Sequence, residues 1–597
     1  MATIREDQSA KVYQIKKWLG LNESPDGDTQ LKLGEAAEMR NFCITRENHL
    51  QIRPGYAPVC TLASTEEDGT VHPVRGMWSG YVDGTQRLMA ACNGHLWEID
   101  PETKSASDKG QIDDGKASFF GFSNKLYILT GGGYYVWDGT NSAASVEGYI
   151  PTVATATPPS GGGTLLQDAN KLTGKKKQVF SPDGTAKDFS LVEDAIDEVI
   201  SVEGTSLSYT TDLTAGKITF SSAPPKGVNT ITITWRKGTG DREAVTKMRF
   251  AELYNGGADS RVFLYGDGSN QSLYSGIDGN GMPSAEYFPD LNVMGVGEAN
   301  TPITGMIRHY DRLLVFKSDA AYSAVYSTLT LADNRVTAAF YVDTLNREIG
   351  CHATGQMALV NNNARTLYGN AVYEWALVTT STRDERNAKR ISDPVTATLS
   401  EFSLENCVTF DDNRRQEYYI LWDGKAIVNH YGNKSWYYYD DFPANAMAML
   451  EDERYFGTPD GKIMHLSRAY RSSDTRPIDA YWESGSMDFD RDWRKKNSVL
   501  TWTAMQPEVQ SRVQVTAESN RNSSYARRVI SSNVAHFTHV DFNHWSFKTN
   551  QKPQVVRERI KVRRATYYKL IYQSSSASAT ATILAADIRV GYGGNVR

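Results

Sequence analysis

The side chains with the most chemical potential in this sequence are carboxylates and cations. Asp411-Asp412 and Asp440-Asp441 are adjacent acidic pairs. Paired carboxylates are what glycoside hydrolysis requires, one as acid and the other as nucleophile or base. Both pairs lie in turn-like sequence and read as solvated loop residues. Ser181-Pro182-Asp183-Gly184 begins like the Ser-x-Asp-x-Gly-x-x-Trp box of sialidases. Its Gly comes one place early and no Trp closes it, so it reads as a β-turn. His352 beside Cys351 joins a base to a nucleophile only on paper, because neighbours on a strand point to opposite faces. The sequence has no Gly-x-Ser-x-Gly elbow, no His-Glu-x-x-His and no Walker A motif. Asp26-Gly27-Asp28 lacks the later ligands of a calcium loop. Gly279-Asn280-Gly281 lacks the third glycine of a dinucleotide site. The expectation is a protein with no catalytic residues, no metal site and no cofactor.

The sharpest charge feature is Arg557-Glu558-Arg559-Ile560-Lys561-Val562-Arg563-Arg564. If this run is a strand, Arg557, Arg559, Lys561 and Arg563 share one face. Such a stripe could follow DNA phosphates without sequence preference and weaken with salt. It could equally dock on an acidic neighbouring subunit or face solvent. A DNA conduit should not grip its cargo, which favours the subunit contact. Eighteen Lys and Arg stand against ten Asp and Glu from Pro477 to Arg597, a local charge of +8. The remainder then carries −14 within a total of −6, an asymmetry suited to contact between regions of opposite sign. Lys175-Lys176-Lys177 reads as a solvated loop. Trp436-Tyr437-Tyr438-Tyr439 could form a sugar platform, but aromatic stripes in strands more often fill cores or interfaces.

These groups need a framework, and the composition points to strands. The 597 residues are 40% hydrophobic and 11% aromatic, with 32 Tyr and 48 Gly. That suits an all-β protein of several domains. No apolar run is long enough for a membrane span, and Met1–Asp7 lacks the apolar region of a secretory signal. Cys43, Cys60, Cys92, Cys351 and Cys407 include no Cys-x-x-Cys pair, so buried free thiols in a reducing compartment are expected.

Along the chain, an apolar strand repeatedly runs into a Gly-containing turn and a second apolar strand leaves it. The turns are Asn93-Gly94, Gly131-Gly132-Gly133, Gly369-Asn370, Asp423-Gly424 and Asp460-Gly461. Asn-Gly and Asp-Gly favour type I′ hairpins, which need positive φ at both central residues. The first two turns are 38 residues apart and the last two 37, near the ~40–45 residues of a four-stranded propeller blade. The predicted fold is a β-propeller of about six blades over residues 46–163 and 249–476. Arg261–Tyr265, Gln271–Tyr274 and Arg312–Phe316 are further strand candidates. The linker Pro158-Pro159-Ser160-Gly161-Gly162-Gly163 opens a small β domain inserted over 164–248. Residues 477–597 read as a C-terminal β-sandwich-like domain. Residues 1–45 read as an N-terminal arm, with Val12, Ile15 and Leu19 at roughly helical spacing.

Three stretches resemble the tail nozzle or hub proteins of short-tailed bacteriophages, also called tail tubular protein B or phage stabilisation proteins. They are Gly34–Phe42 leading into Leu50-Gln51-Ile52-Arg53-Pro54-Gly55-Tyr56, the inserted module from Asp188 to Trp235, and Tyr481–Phe489 with Arg494-Lys495-Lys496. The resemblance implies a homohexameric ring that prolongs a DNA-ejection channel, with transient, non-specific passage of double-stranded DNA. It also implies contacts to an adaptor ring on the portal side and to tail fibres or a needle. The expected location is the virion tail, after assembly in the host cytoplasm. The alternatives are a phage propeller that binds or cleaves host-surface glycans, and a baseplate or head-decoration protein.

Overall fold

Short strands joined by tight turns build the chain. The computed structural model describes residues 10–24, 30–62, 71–254, 260–333, 335–376, 387–535 and 552–596. Among these the α-helices are Arg242–Thr246 and Thr396–Ser400, five residues each. The fold is all-β. The calcium-loop lookalike Asp26-Gly27-Asp28 lies outside the described residues.

Six antiparallel four-stranded sheets follow one another along the chain. Their first strands are Val74–Val82, Ser118–Phe122, Phe250–Tyr254, Ile303–His309, Ala358–Val360 and Val408–Asp412. A seventh sheet starts at Ala446–Leu450 and continues through Glu453–Gly457 and Lys462–Ser467. Its fourth strand, Gly55–Thr61, comes from the other end of the chain, with Tyr56 opposite Leu466 and Ala57 opposite His465. Two two-residue strands, Ser472–Ser473 and Arg476–Pro477, extend that edge. Seven such sheets form where about six were expected.

Each first strand touches the first strand of the next sheet, and Ala446–Leu450 returns to Val74–Val82. The circuit of contacts is closed. Apolar cores lie between successive sheets. Val82, Leu96, Leu126 and Trp137 join the first to the second, and Leu129, Tyr134, Val262 and Leu264 the second to the third. Phe316 packs edge-on to the fully buried Trp375 at 5.1 Å between the fourth and fifth. Removing such a ring costs ~3–5 kcal/mol. Asn93-Gly94 and Asp423-Gly424 both hold positive φ throughout, as type I′ turns require. At Gly369-Asn370 and Asp460-Gly461 only the glycine is left-handed, so those hairpins use other turn types.

Between the second and third sheets a module folds on its own core of Phe180, Phe189, Ile218, Phe220, Ile233 and Trp235. It has a five-stranded and a three-stranded sheet. Its first long strand, Thr152–Thr157, begins earlier than the expected 164 and runs parallel to Lys175–Phe180. Lys175-Lys176-Lys177 is thus strand, not loop, and Lys176 pairs with Glu193.

The last region is built from both chain ends. One sheet orders Phe42–Ile44, Leu50–Ile52, Thr582–Asn595, Arg494–Met505 and Gln554–Ala565, with Lys11–Ile15 also on Thr582–Asn595. The other orders Gly20–Leu21, Glu35–Arg40, Ala480–Ser484, Lys569–Ser574, Arg512–Glu518 and Arg528–Ser531. The two sheets face each other. The hydroxyls of Thr503 and Tyr572 meet at 2.8 Å, and Trp18 stands edge-on to Trp482 at 4.8 Å with both rings buried. Residues 1–45 are therefore not a free arm in their described part. Nor is the Val12, Ile15, Leu19 spacing helical: Lys11–Ile15 is a strand, with Ile15 buried and Val12 half exposed. Residues 46–52, expected in the propeller, pair in this region instead.

Arg53-Pro54-Gly55 is the junction between the two assemblies. Arg53 is fully buried, its guanidinium donating to Asn41 Oδ1 at 2.9 Å, Pro54 O at 3.1 Å, Asp441 O at 3.2 Å and Ser473 Oγ at 2.7 Å. It also lies over the rings of Tyr56, Tyr439 and Phe442. At Gly55 a Cβ would come within 2.5 Å of Ser472 O, so the close approach of the two backbones requires glycine.

Candidate functional site

The basic run is a strand. Gln554–Ala565 alternates in burial, with Ile560 and Val562 in the core and Arg557, Arg559, Lys561 and Arg563 exposed together. Inward apolar and outward charged positions two residues apart produce this pattern. The strand pairs with Arg494–Met505, which sets Trp502 opposite Arg557 and Leu500 opposite Arg559. One strand further, Asp587 lies opposite Trp502 and Arg589 opposite Leu500. The outer face therefore carries five cations, Arg557, Arg559, Lys561, Arg563 and Arg589, around one carboxylate, Asp587. None of the first four forms an ion pair among the described residues. Arg589 was missed in the sequence because its membership depends on cross-strand register between distant segments. Its own neighbours, Asp587-Ile588-Arg589-Val590, show only ordinary alternation.

The acidic pairs have other duties. Asp412 is fully buried, not solvated. It accepts the Arg414 and Arg415 amides at 3.1 and 3.0 Å, and its other oxygen pairs with Arg415 at 3.2 Å. Arg454 lies 3.7 Å from it and donates to Glu417 Oε2 at 2.9 Å. The Tyr419 and Tyr437 hydroxyls also donate to Glu417, at 2.6 and 2.8 Å. Burial works to raise the Glu417 pKa, but Arg454 and the two phenols outweigh it and hold the carboxyl below its usual range. Asp411 is pushed up to about 6, chiefly by burial. Asp440 and Asp441 are half-buried and hold Arg40 and Arg476. Asp411 and Asp412 belong to the strand Val408–Asp412 and to the packing between sheets, which corrects the solvated-loop expectation for that pair, while Asp440 and Asp441 lie in a bend.

The other candidates have structural surroundings too. Trp436, Tyr437 and Tyr439 are buried, so they offer no accessible platform. Asp183 Oδ1 accepts the Thr185 and Ala186 amides at 2.7 and 2.8 Å, closing a turn. Cys351 is buried, its thiol pushed up to about 11 by desolvation and turned to Ala353 O at 3.4 Å, while His352 packs on Tyr368. Among the described residues no cluster of three or more His, Cys, Asp or Glu could hold a metal ion. Among the described residues no helix is long and apolar enough to cross a membrane.

Two large cavities remain. One, of about 790 Å³, sits where the seven-sheet circuit meets the two-layer region, lined by Arg46, His49, Arg414, His430, Arg468 and Glu508 among others. The second, of about 780 Å³, opens where the first strands of several sheets begin, between Lys116, Arg249, Asp267, Thr304, Thr354 and Glu405.

No family model matches the chain, and no curated protein matches it. Among solved structures it is similar to the AfRom2 CNH domain, at 8% identity and a TM-score of 0.34, covering 69% of this chain and 99% of that one. It is also similar to the computationally designed Ika8 protein, at 10% identity and 0.32, covering 69% and 99%. A chain of the Mitotic Checkpoint Complex gives 9% identity and 0.33, covering 70% and 93%. At these scores the likenesses carry no argument about function.

Proposed function

We propose that this chain is a non-enzymatic structural subunit of a short-tailed bacteriophage tail, of the nozzle or hub kind. In this reading the six four-stranded sheets and the sheet closed by Gly55–Thr61 are the blades of a β-propeller. Sister copies form a ring, six in the family it resembles, that prolongs the DNA-ejection channel. An adaptor ring docks above, and fibres or a needle dock below.

The observation that carries the reading is the basic face of Arg557, Arg559, Lys561, Arg563 and Arg589, without ion pairs among the described residues, on the two-layer region of a chain whose other parts are net acidic. A self-complementary charge distribution of this kind suits head-to-tail contacts, which close into rings. Glu417 and Asp412, among the carboxylates nearest each other in the sheets, are engaged by Arg454 and Arg415.

Cryo-electron microscopy and native mass spectrometry of purified virions test the proposal. The expected result is a ring of this chain at the tail, at a fixed copy number. Absence of the chain from particles refutes it. Depolymerisation of host polysaccharide by the purified chain would replace it with the glycan-active alternative.

A further inference from the structure

The cavity at the head of the first strands is lined by Lys116 and Arg249, with Asp267, Glu405 and the ion-paired Lys247 on the same lining. Lys116 immediately precedes the second sheet's first strand region, and Arg249 precedes that of the third. Neither makes an ion pair or side-chain hydrogen bond among the described residues. Gly131, in the turn after Lys125–Leu129, lines the same wall. It holds a φ of +80°, and a Cβ there would lie 3.0 Å from both Cγ and Nε of Arg249. Glycine at this turn thus leaves room for the Arg249 side chain to lie across the wall. Lys116 and Arg249 are both exposed, and Lys116 also lines a smaller cavity beside this one. Desolvation lowers the Lys116 ammonium pKa, and repulsion from Arg249 adds to it; the opposing influence of Cys407 is that of a thiol itself raised to about 12. Two cations on the lining of one cavity, unpaired among the described residues, are an arrangement that an anion relieves.

We propose that this cavity binds a phosphate dianion, free or as the monoester group of a small hydroxylated compound, between Lys116 and Arg249. Arg presents a planar fork to phosphate oxygens and Lys a point charge. A volume of about 780 Å³ leaves room for a body beyond the phosphate. Asp267 and Glu405, on the same lining, oppose a second anionic group and accept hydroxyls. One Asp267 oxygen is already engaged by the Ser269 amide and hydroxyl at 3.0 and 2.7 Å. The inference stands apart from the tail reading, since it concerns the isolated chain.

Calorimetric titration of the full chain with inorganic phosphate, glucose 6-phosphate and glucose tests it. Binding of either phosphate probe is expected, weakened at least about tenfold by Arg249→Ala and by Lys116→Gln. Glucose 6-phosphate binding tighter than phosphate identifies the ester as the source, and equal affinities identify the free ion. Both variants should melt with the parent protein, and the Arg557, Arg559, Lys561 and Arg563 quadruple alanine variant should bind as the parent does. No binding by either phosphate probe, binding unchanged in both variants, glucose bound as well as its phosphate, or loss of binding in the quadruple variant would each overturn the proposal.

Discussion

Arg53 and the strand Gln554–Ala565 place the same guanidinium chemistry in opposite surroundings. Arg53 is sealed between the two assemblies, and every donor it spends goes to a carbonyl, an amide or a hydroxyl of the chain. Among the described residues no carboxylate oxygen pairs with it, and burial lowers its pKa from the usual value. Arg557, Arg559 and Arg563 reach water and pair with nothing among the described residues. The difference separates cations that make the architecture from cations left over for something outside it. A charge that has been desolvated is costly to strand, while a solvated one is nearly free to change.

The sharpest way to break this comparison is Arg53→Ala. It removes one donor each from Asn41, Ser473 and the Pro54 and Asp441 carbonyls and opens a cavity beside Tyr56 and Tyr439. A loss of ~3–5 kcal/mol is expected in urea denaturation, and a loss below ~1 kcal/mol would mean the junction is less dependent on this residue than its packing implies. Glu417→Gln comes next. It removes the nearer of the two carboxylates that face Arg454, with an expected loss of ~2–4 kcal/mol in the same measurement. The folded pKa of Glu417 is depressed, so its stabilisation is full above the unfolded carboxylate value near 4.5 and fades as pH falls below that. Melting curves of the parent and Glu417→Gln should therefore converge on acidification.

Glu252 sharpens the contrast from the other side. Burial pushes its pKa up to about 7, opposed by the Arg308 amide, which donates to it at 3.1 Å. The folded state then holds the proton more tightly than the unfolded one. The contribution of Glu252 to stability is highest below about pH 4.5 and declines until pH passes about 7. Glu252→Gln should flatten that decline in melting temperature between pH 5 and 8 (a range set by the usual carboxylate behaviour). An unchanged slope would assign the dependence to other groups. The smallest effect belongs to the exposed face. Alanine at Arg557, Arg559, Lys561 and Arg563 together should move stability by less than ~1 kcal/mol while abolishing ring assembly in native mass spectrometry. Retained assembly would return that face to the status of a solvated strand.

How much of this was legible in the sequence follows from whether the determining contacts are local. The basic strand was readable because alternation within twelve residues decides both its conformation and its exposed face. The Asn93-Gly94 and Asp423-Gly424 hairpins were readable because two adjacent residues set their φ values. Ser123-Asn124 and Asn361-Asn362 also turn with positive φ, yet neither contains glycine, so the hairpins they close passed unmarked. The interlocked termini left no trace at all. Lys11–Ile15 owes its strand conformation to Val590 and its neighbours at the far end of the chain. The burial of Asp412 and Glu417 was equally hidden, since their partner Arg454 comes from the next sheet.

The sealing strand Gly55–Thr61 also has a consequence for biosynthesis. It leaves the ribosome long before Lys462–Ser467 exists to receive it. Until then its amides and carbonyls on that side lack their eventual mates, a hazard for sticking to other nascent chains. Prematurely terminated products ending before residue 462 would retain this segment without its pairing strand.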